Sequence, residues 1–197
     1  MSNVSRLTFL LPLLLGFLFN SLSAFTAIFC ERLGEARGRA LTFLLRNILG
    51  IPLWALGYAL AARMRMPPFL GPSAAKSVAA WALIASGATI ILFALAALRG
   101  KAAAPAPGHA LVEHGPYARV RHPIHLAMVL EFVGLALLMA TPPVLVASVA
   151  GLGWLVVQSR LEEIDLRRRI PAYRDYMQRV PRFVPRVSLR PRPRVGR

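Results

Sequence analysis

The chain of 197 residues is 56% hydrophobic and only 16% charged, with a mean hydropathy of +0.55, which excludes a soluble domain of ordinary composition and points to a polytopic membrane protein. A formal net charge of +16 would suit nucleic acid, but half of the 24 Lys and Arg residues lie between Arg160 and Arg197, behind the last apolar segment, where a basic tail meets anionic lipid headgroups instead. Cys30 is the single cysteine, so neither a disulfide framework nor a multi-cysteine metal site fits within one chain.

Leu7 to Phe29 is an uncharged run of about 23 residues, enough to cross a hydrocarbon core of roughly 30 Å as a helix. Its length for a signal peptide, with only Arg6 before it, favours a retained first span over a cleaved one. Leu41 to Ala62 reads as a second span, with Arg46 near its start able to snorkel to the interface. Pro67-Pro68 and Gly71-Pro72 end it, and Ser77 to Leu98 is a third, Ala-rich span in which Gly87 allows close helix contact. Pro105, Pro107 and Gly108 mark a loop. A helix is expected to start at Pro123, because proline suits the first helical position and pushes His122 out of helical geometry. Ile124 to Ala140 and Val144 to Ser159, joined by Thr141-Pro-Pro143, then read as a tight hairpin of two short spans.

The expected architecture is therefore an all-α transmembrane bundle of about five spans, followed by short cytosolic C-terminal helices. Residues 1–98 supply three N-terminal helices, 99–185 a cofactor-binding catalytic region with the hairpin 124–159, and 186–197 a basic Arg/Pro tail. Arg6, Arg63, Arg65 and Lys76 fall on one side of such a bundle and every other Lys and Arg on the opposite side. The positive-inside rule then puts the C-terminus and the site in the cytoplasm and the N-terminus outside.

Chemistry-capable side chains gather in two stretches, His114 to His125 and Arg160 to Asp165. At the first, helix N-terminal amides converge with Arg121, which suits an anionic group, although Arg119 and Arg121 also serve as headgroup anchors. His122 and His125 form an H-x-x-H pair; zinc would need two further ligands and the local arginines oppose a cation, so no metal is expected. Glu131, roughly 12 Å below the start of its helix, is costly in a membrane unless it faces the bundle interior. Glu162 and Glu163 are either solvated ion-pair partners or, brought back by the hairpin to the face where His122 starts, the second half of a pocket. Carboxylates, aromatic rings and an anion-binding helix end together suit a ligand that is cationic, anionic and flat at once, and S-adenosylmethionine is such a ligand.

Gly115-Pro-Tyr117, Arg121-His-Pro123, Glu162-Glu163-x-x-Leu166, Tyr173-x-x-Tyr176 and Val180-Pro-Arg-Phe-Val-Pro185 resemble the catalytic half of the isoprenylcysteine carboxyl methyltransferase and phospholipid N-methyltransferase group. The resemblance covers about Arg99 to Pro185 and implies an integral membrane enzyme that uses S-adenosylmethionine. It carries His122, Glu162 and Glu163 over as cofactor contacts, with Tyr117, Arg121 and Tyr173 beside them. The chain departs from that pattern at His125, Ala127 and Ile170-Pro171, and Glu131 stands outside it. Glu131, His125 or Arg160 is therefore expected to orient or deprotonate a lipophilic acceptor: a phospholipid amine, a prenyl-cysteine-like carboxylate or a thiol. Membrane lipids are the expected partners, with no obligate protein partner evident. The alternatives are an NADPH-dependent membrane reductase of related topology and a non-catalytic scaffold with a lipid-binding tail.

Overall fold

The structure, a computed structural model, describes residues 7–99 and 110–185. The loop expected at Pro105 to Gly108, the tail at 186–197 and Arg6 lie outside the described residues. Among the described residues the chain is all helical, with no strand. Its longer helices are α1 (Leu10–Leu22), α2 (Thr26–Leu33), α3 (Glu35–Phe43), α4 (Ile51–Arg63), α5 (Ala74–Leu98), α6 (Pro123–Met139) and α7 (Pro142–Arg169), with a short α8 (Tyr173–Arg179) after them. A π-helical stretch, Leu44–Gly50, makes α3 and α4 continuous. Helices Glu35–Arg63, Ala74–Leu98 and Pro142–Arg169 are each long and apolar enough to cross a membrane, the pair α1 and α2 makes a fourth span if taken together, and α6 is a shorter apolar helix. Leu11, Leu18, Val78, Trp81, Leu92, Phe93 and Val149 all face outward, a continuous apolar exterior that is natural against lipid and costly against water.

The second span starts earlier than expected, at Glu35, and two further differences from the sequence reading bear on the site. The first span is not one rod, because α1 and α2 are bent by 63° across Ser23–Phe25. No proline or glycine announces the break. It is sustained by hydroxyls that satisfy the freed carbonyls: Ser23 Oγ donates to the Asn20 carbonyl at 2.6 Å and Thr26 Oγ1 to the Ser23 carbonyl at 3.3 Å. Phe25 offers α2 no local cap. The buried Asp165 carboxylate supplies one from a distance, accepting from the Ala27 amide at 2.6 Å in the first turn of α2. The last span, in turn, does not stop at Ser159. Helix α7 runs 28 residues to Arg169, so Arg160, Glu162, Glu163 and Asp165 project from a rigid helix and not from a loop after it.

Close approach holds the bundle together. A Cβ on Gly57 would sit 2.6 Å from the Leu13 side chain, so α1 and α4 touch backbone to backbone at a distance only a glycine permits. Next to this contact, the Tyr58 and Phe132 rings stack at 5.2 Å and Trp54 meets both edge-on. The Tyr58 hydroxyl donates to Ser148 Oγ, which donates to the Phe132 carbonyl, so the two hydroxyls of this apolar core are satisfied within it. Helices α4, α6 and α7 are thereby locked, and α5 packs along α6.

Candidate functional site

The site forms where α6 begins. His122 is held out of helical geometry (φ −122°, ψ 65°) ahead of Pro123, and Pro123 opens the helix as its first residue. The segment after α8 runs alongside: the Arg121 amide donates to the Pro181 carbonyl at 2.9 Å and the His122 amide to the Arg182 carbonyl at 3.2 Å. Arg121 also donates to the Met177 carbonyl at 2.7 Å, and the Tyr176 hydroxyl to the Tyr117 carbonyl at 2.7 Å. The chain after α7 is thus fastened across the entrance of α6.

Charged groups fill the junction. Glu163, with its side chain 4% exposed, meets His122 Nε2 at 3.2 Å, Arg121 at 3.0 Å and the Arg182 guanidinium. Glu162 lies 3.6 Å from His122 Nδ1, 3.9 Å from His125 Nε2 and 3.7 Å from Arg46, and accepts a bond from Gln158 at 3.0 Å. Burial of the His122 ring disfavours its charged form, but hydrogen bonds to Glu162 and Glu163 and their charge outweigh it, holding its pKa above the usual value. The hydrogen bonds to Glu163 likewise raise the Arg182 pKa. Burial pushes the Tyr117, Tyr173 and Tyr176 phenols upward, so all three are neutral donors. The His122 and His125 rings stack at 5.0 Å.

Above this junction opens a cavity of about 650 Å³, a size that suits a small-molecule ligand. Of the residues singled out from sequence, Tyr117, Arg121, His122, His125, Glu131, Glu162 and Tyr173 line it. Glu163 does not; it stands behind His122 and acts through it. Arg160 is exposed on the outside of α7 and belongs to neither group, so the structure does not bring it to the site. Arg46 was expected to snorkel outward and instead turns inward, its side chain 17% exposed, because Glu162 and the Ser23 hydroxyl receive it. Asn20, Trp54, Gln158, Asp165 and Tyr176 also line the cavity. The wall therefore reaches beyond 99–185 into the N-terminal helices.

Residues 75–169 match the sequence model of the phospholipid methyltransferase family. The matched stretch is 95 of the 197 residues, just under half of the chain. It contains α5, the entrance of α6, the hairpin and both glutamates of the junction. A nickel-cobalt-cadmium resistance protein, NccN, of Alcaligenes xylosoxydans xylosoxydans is 34% identical over 82 residues, covering 40% of this chain and 38% of that protein. The match thus spans under two fifths of that relative's length. No solved structure matches the chain.

The cavity brings hydrogen-bond donors, acceptors and both signs of charge into one wall. Among the described residues six side-chain atoms are buried without a hydrogen-bond partner; Arg121 Nε, His125 Nδ1, Gln158 Oε1, Tyr173 Oη and Trp54 Nε1 belong to lining residues, and Thr141 Oγ1, at the hairpin turn, does not. Buried polar atoms left unpaired are costly, and a polar ligand in the cavity is the partner that would satisfy them. His122, His125 and Glu162 also offer ligand atoms within 4.8 Å of one another. A cation there would face Arg46 beside Glu162 and Arg121 beside Glu163, so the charge of the surroundings opposes it.

Proposed function

We propose that this membrane protein binds S-adenosylmethionine in the junction cavity and transfers its methyl group to a lipophilic acceptor. The observation that carries the reading is that Arg121, His125, Gln158, Tyr173 and Trp54, each with an unpartnered buried polar atom, line one cavity together with His122 and Glu162. Arg121, with the amides at the start of α6, suits the carboxylate of the ligand, and Glu162 its ammonium and sulfonium charge. Tyr117, Tyr173 and Tyr176 provide ring faces and hydroxyls for the adenosine. When bound, S-adenosylmethionine supplies an electrophilic methyl whose leaving group is a neutral thioether. The protein's part is then mostly positioning, which holds the acceptor in line and keeps water out. Glu163 fixes the His122 ring from behind, and the segment after α8 closes the polar end. By the distribution of Lys and Arg, the polar end lies on the cytoplasmic face, with the basic tail against anionic lipid.

Calorimetric titration of the purified protein with S-adenosylmethionine tests this reading. Saturable binding by wild type and its loss in His122→Ala are expected; equal binding by both, or by neither, overturns the assignment. One observation favours a second reading, a metal site at His122, His125 and Glu162, since the relative NccN is named for nickel, cobalt and cadmium resistance. Arg46 and Arg121 count against it, and the methyl-donor reading stands ahead.

A further inference from the structure

Glu131 lines the cavity away from its charged junction. It lies on α6 six residues beyond His125, over one and a half turns deeper, against Gly87 of α5. The described residues give its carboxylate no hydrogen bond or ion pair, although every other buried carboxylate of the site has several. Gly87 on α5 makes the space: a Cβ there would stand 2.7 Å from Glu131 Cγ and 2.8 Å from the Ala127 carbonyl. The side chain is therefore accommodated by a neighbouring helix without being neutralised by it.

Between Glu131 and the charged junction the cavity opens sideways. Ile51 on α4 and Leu95 on α5 line it while being 42% and 43% exposed, and Trp54 and Ile91 stand just inside them. The mouth between α4 and α5 is thus apolar and lies on the outer face of the bundle, where the molecule meets lipid. An amphiphile entering there would leave its tail between these helices and bring its head to Glu131.

Resting on the proposed methyl transfer, we propose that Glu131 is the acceptor-side catalytic residue, and that it selects an acceptor bearing a proton on its nucleophile, an amine or a thiol on an apolar tail, against a carboxylate. A carboxylate head would bring a second negative charge beside an unpartnered one in an apolar wall, a costly arrangement. An amine or thiol hydrogen-bonds to it. As the new bond from nitrogen or sulfur to the methyl forms, the bond between methyl and sulfonium breaks with its electron pair left on that sulfur. The proton from the acceptor passes to Glu131 and from there to water.

The test uses the full chain in lipid nanodiscs with dodecylamine, dodecanethiol and dodecanoate as acceptors, and Glu131→Gln and Glu131→Asp as variants. S-adenosylmethionine binding is read by calorimetry without acceptor. Acceptor binding is read without donor, from quenching of Trp54 by a brominated long-chain amine, with Trp54→Phe as the blank. Both Glu131 variants are expected to bind the donor like wild type. Glu131→Gln should weaken the amine's quenching and lower transfer about a hundredfold, the usual contribution of a general base. Glu131→Asp should recover part of that loss, and wild type should leave dodecanoate unmethylated. Transfer to the amine alone or to the thiol alone fixes which nucleophile is used. Donor binding with transfer to neither, equal transfer by Glu131→Gln, or methylation of dodecanoate by wild type overturns the role of Glu131. Absence of donor binding by wild type overturns the methyltransferase reading and this one with it.

Discussion

His122 sits between two carboxylates, its Nε2 3.2 Å from Glu163 and its Nδ1 3.6 Å from Glu162, so neighbouring residues of one helix hold both edges of one ring. That clamp requires α7 to remain helical through Glu163 and α6 to begin where Pro123 starts it. It joins the two ends of the hairpin through a side chain that also faces the cavity.

Glu163→Ala should destabilise the protein more than it disturbs any ligand directly. It leaves His122, Arg121 and Arg182 without their shared counter-charge in a nearly buried place, a loss of about 3–5 kcal/mol. Thermal unfolding in detergent should show a large fall in midpoint, with donor affinity falling in parallel because His122 is released. A midpoint within a degree or so of wild type would show that the junction carries no stability.

Stability should depend on pH through His122. Its folded pKa is raised above the ordinary 6.5, chiefly by Glu162 and Glu163 working against the cost of burial. The stabilisation is therefore complete below about pH 6.5, where histidine is protonated whether folded or unfolded, and is lost as pH rises through the higher folded value. His125, Arg121 and Arg46 face the same cluster and lower the gain without reversing its sign. The unfolding midpoint should fall with rising pH across this window, and His122→Gln should flatten that part of the profile.

Asp165→Asn should loosen the N-terminal bend and leave the hairpin in place. The carboxylate caps α2 through the Ala27 amide and pairs with Arg169 on its own helix. A lost cap of this kind costs about 1 kcal/mol, and loss of the ion pair to Arg169 adds to it. Hydrogen exchange should quicken at Ala27 to Cys30 while amides of α6 keep their protection; uniform exchange throughout the bundle would contradict this division.

Titration with nickel or zinc should leave His122 and His125 unaltered at micromolar metal. The geometry allows a cation to approach, but Arg46 and Arg121 stand over the two glutamates. Saturable metal binding that His125→Ala abolishes would reverse the order of the two readings.

Much of this arrangement is legible in the sequence because it rests on local signals. Apolar runs mark the spans, Pro123 marks the start of α6 and Thr141-Pro-Pro143 marks the hairpin that returns Glu162 to His122. What escapes depends on distance. Asp165 completes a helix 138 residues away in the chain, and no pattern around Phe25 announces a bend whose support comes from hydroxyls and from that remote carboxylate. Arg46 looks like an interfacial anchor until Glu162 is known to lie beside it. Arg160 looks like part of the Glu162 segment, yet the period of the helix carries it to the outer face.

The π-helical turn at Leu44–Gly50 has a consequence for what the chain can tolerate. Such a turn holds more residues than α-helical pitch allows, and each residue of a regular helix advances it by about 100°. Substitutions there leave the phase between Glu35–Phe43 and Ile51–Arg63 intact. Loss of one residue would let the stretch tighten to α-helical pitch and move Arg46, which lies within it, away from Glu162. The length of this short stretch, more than its lettering, is what the pocket depends on.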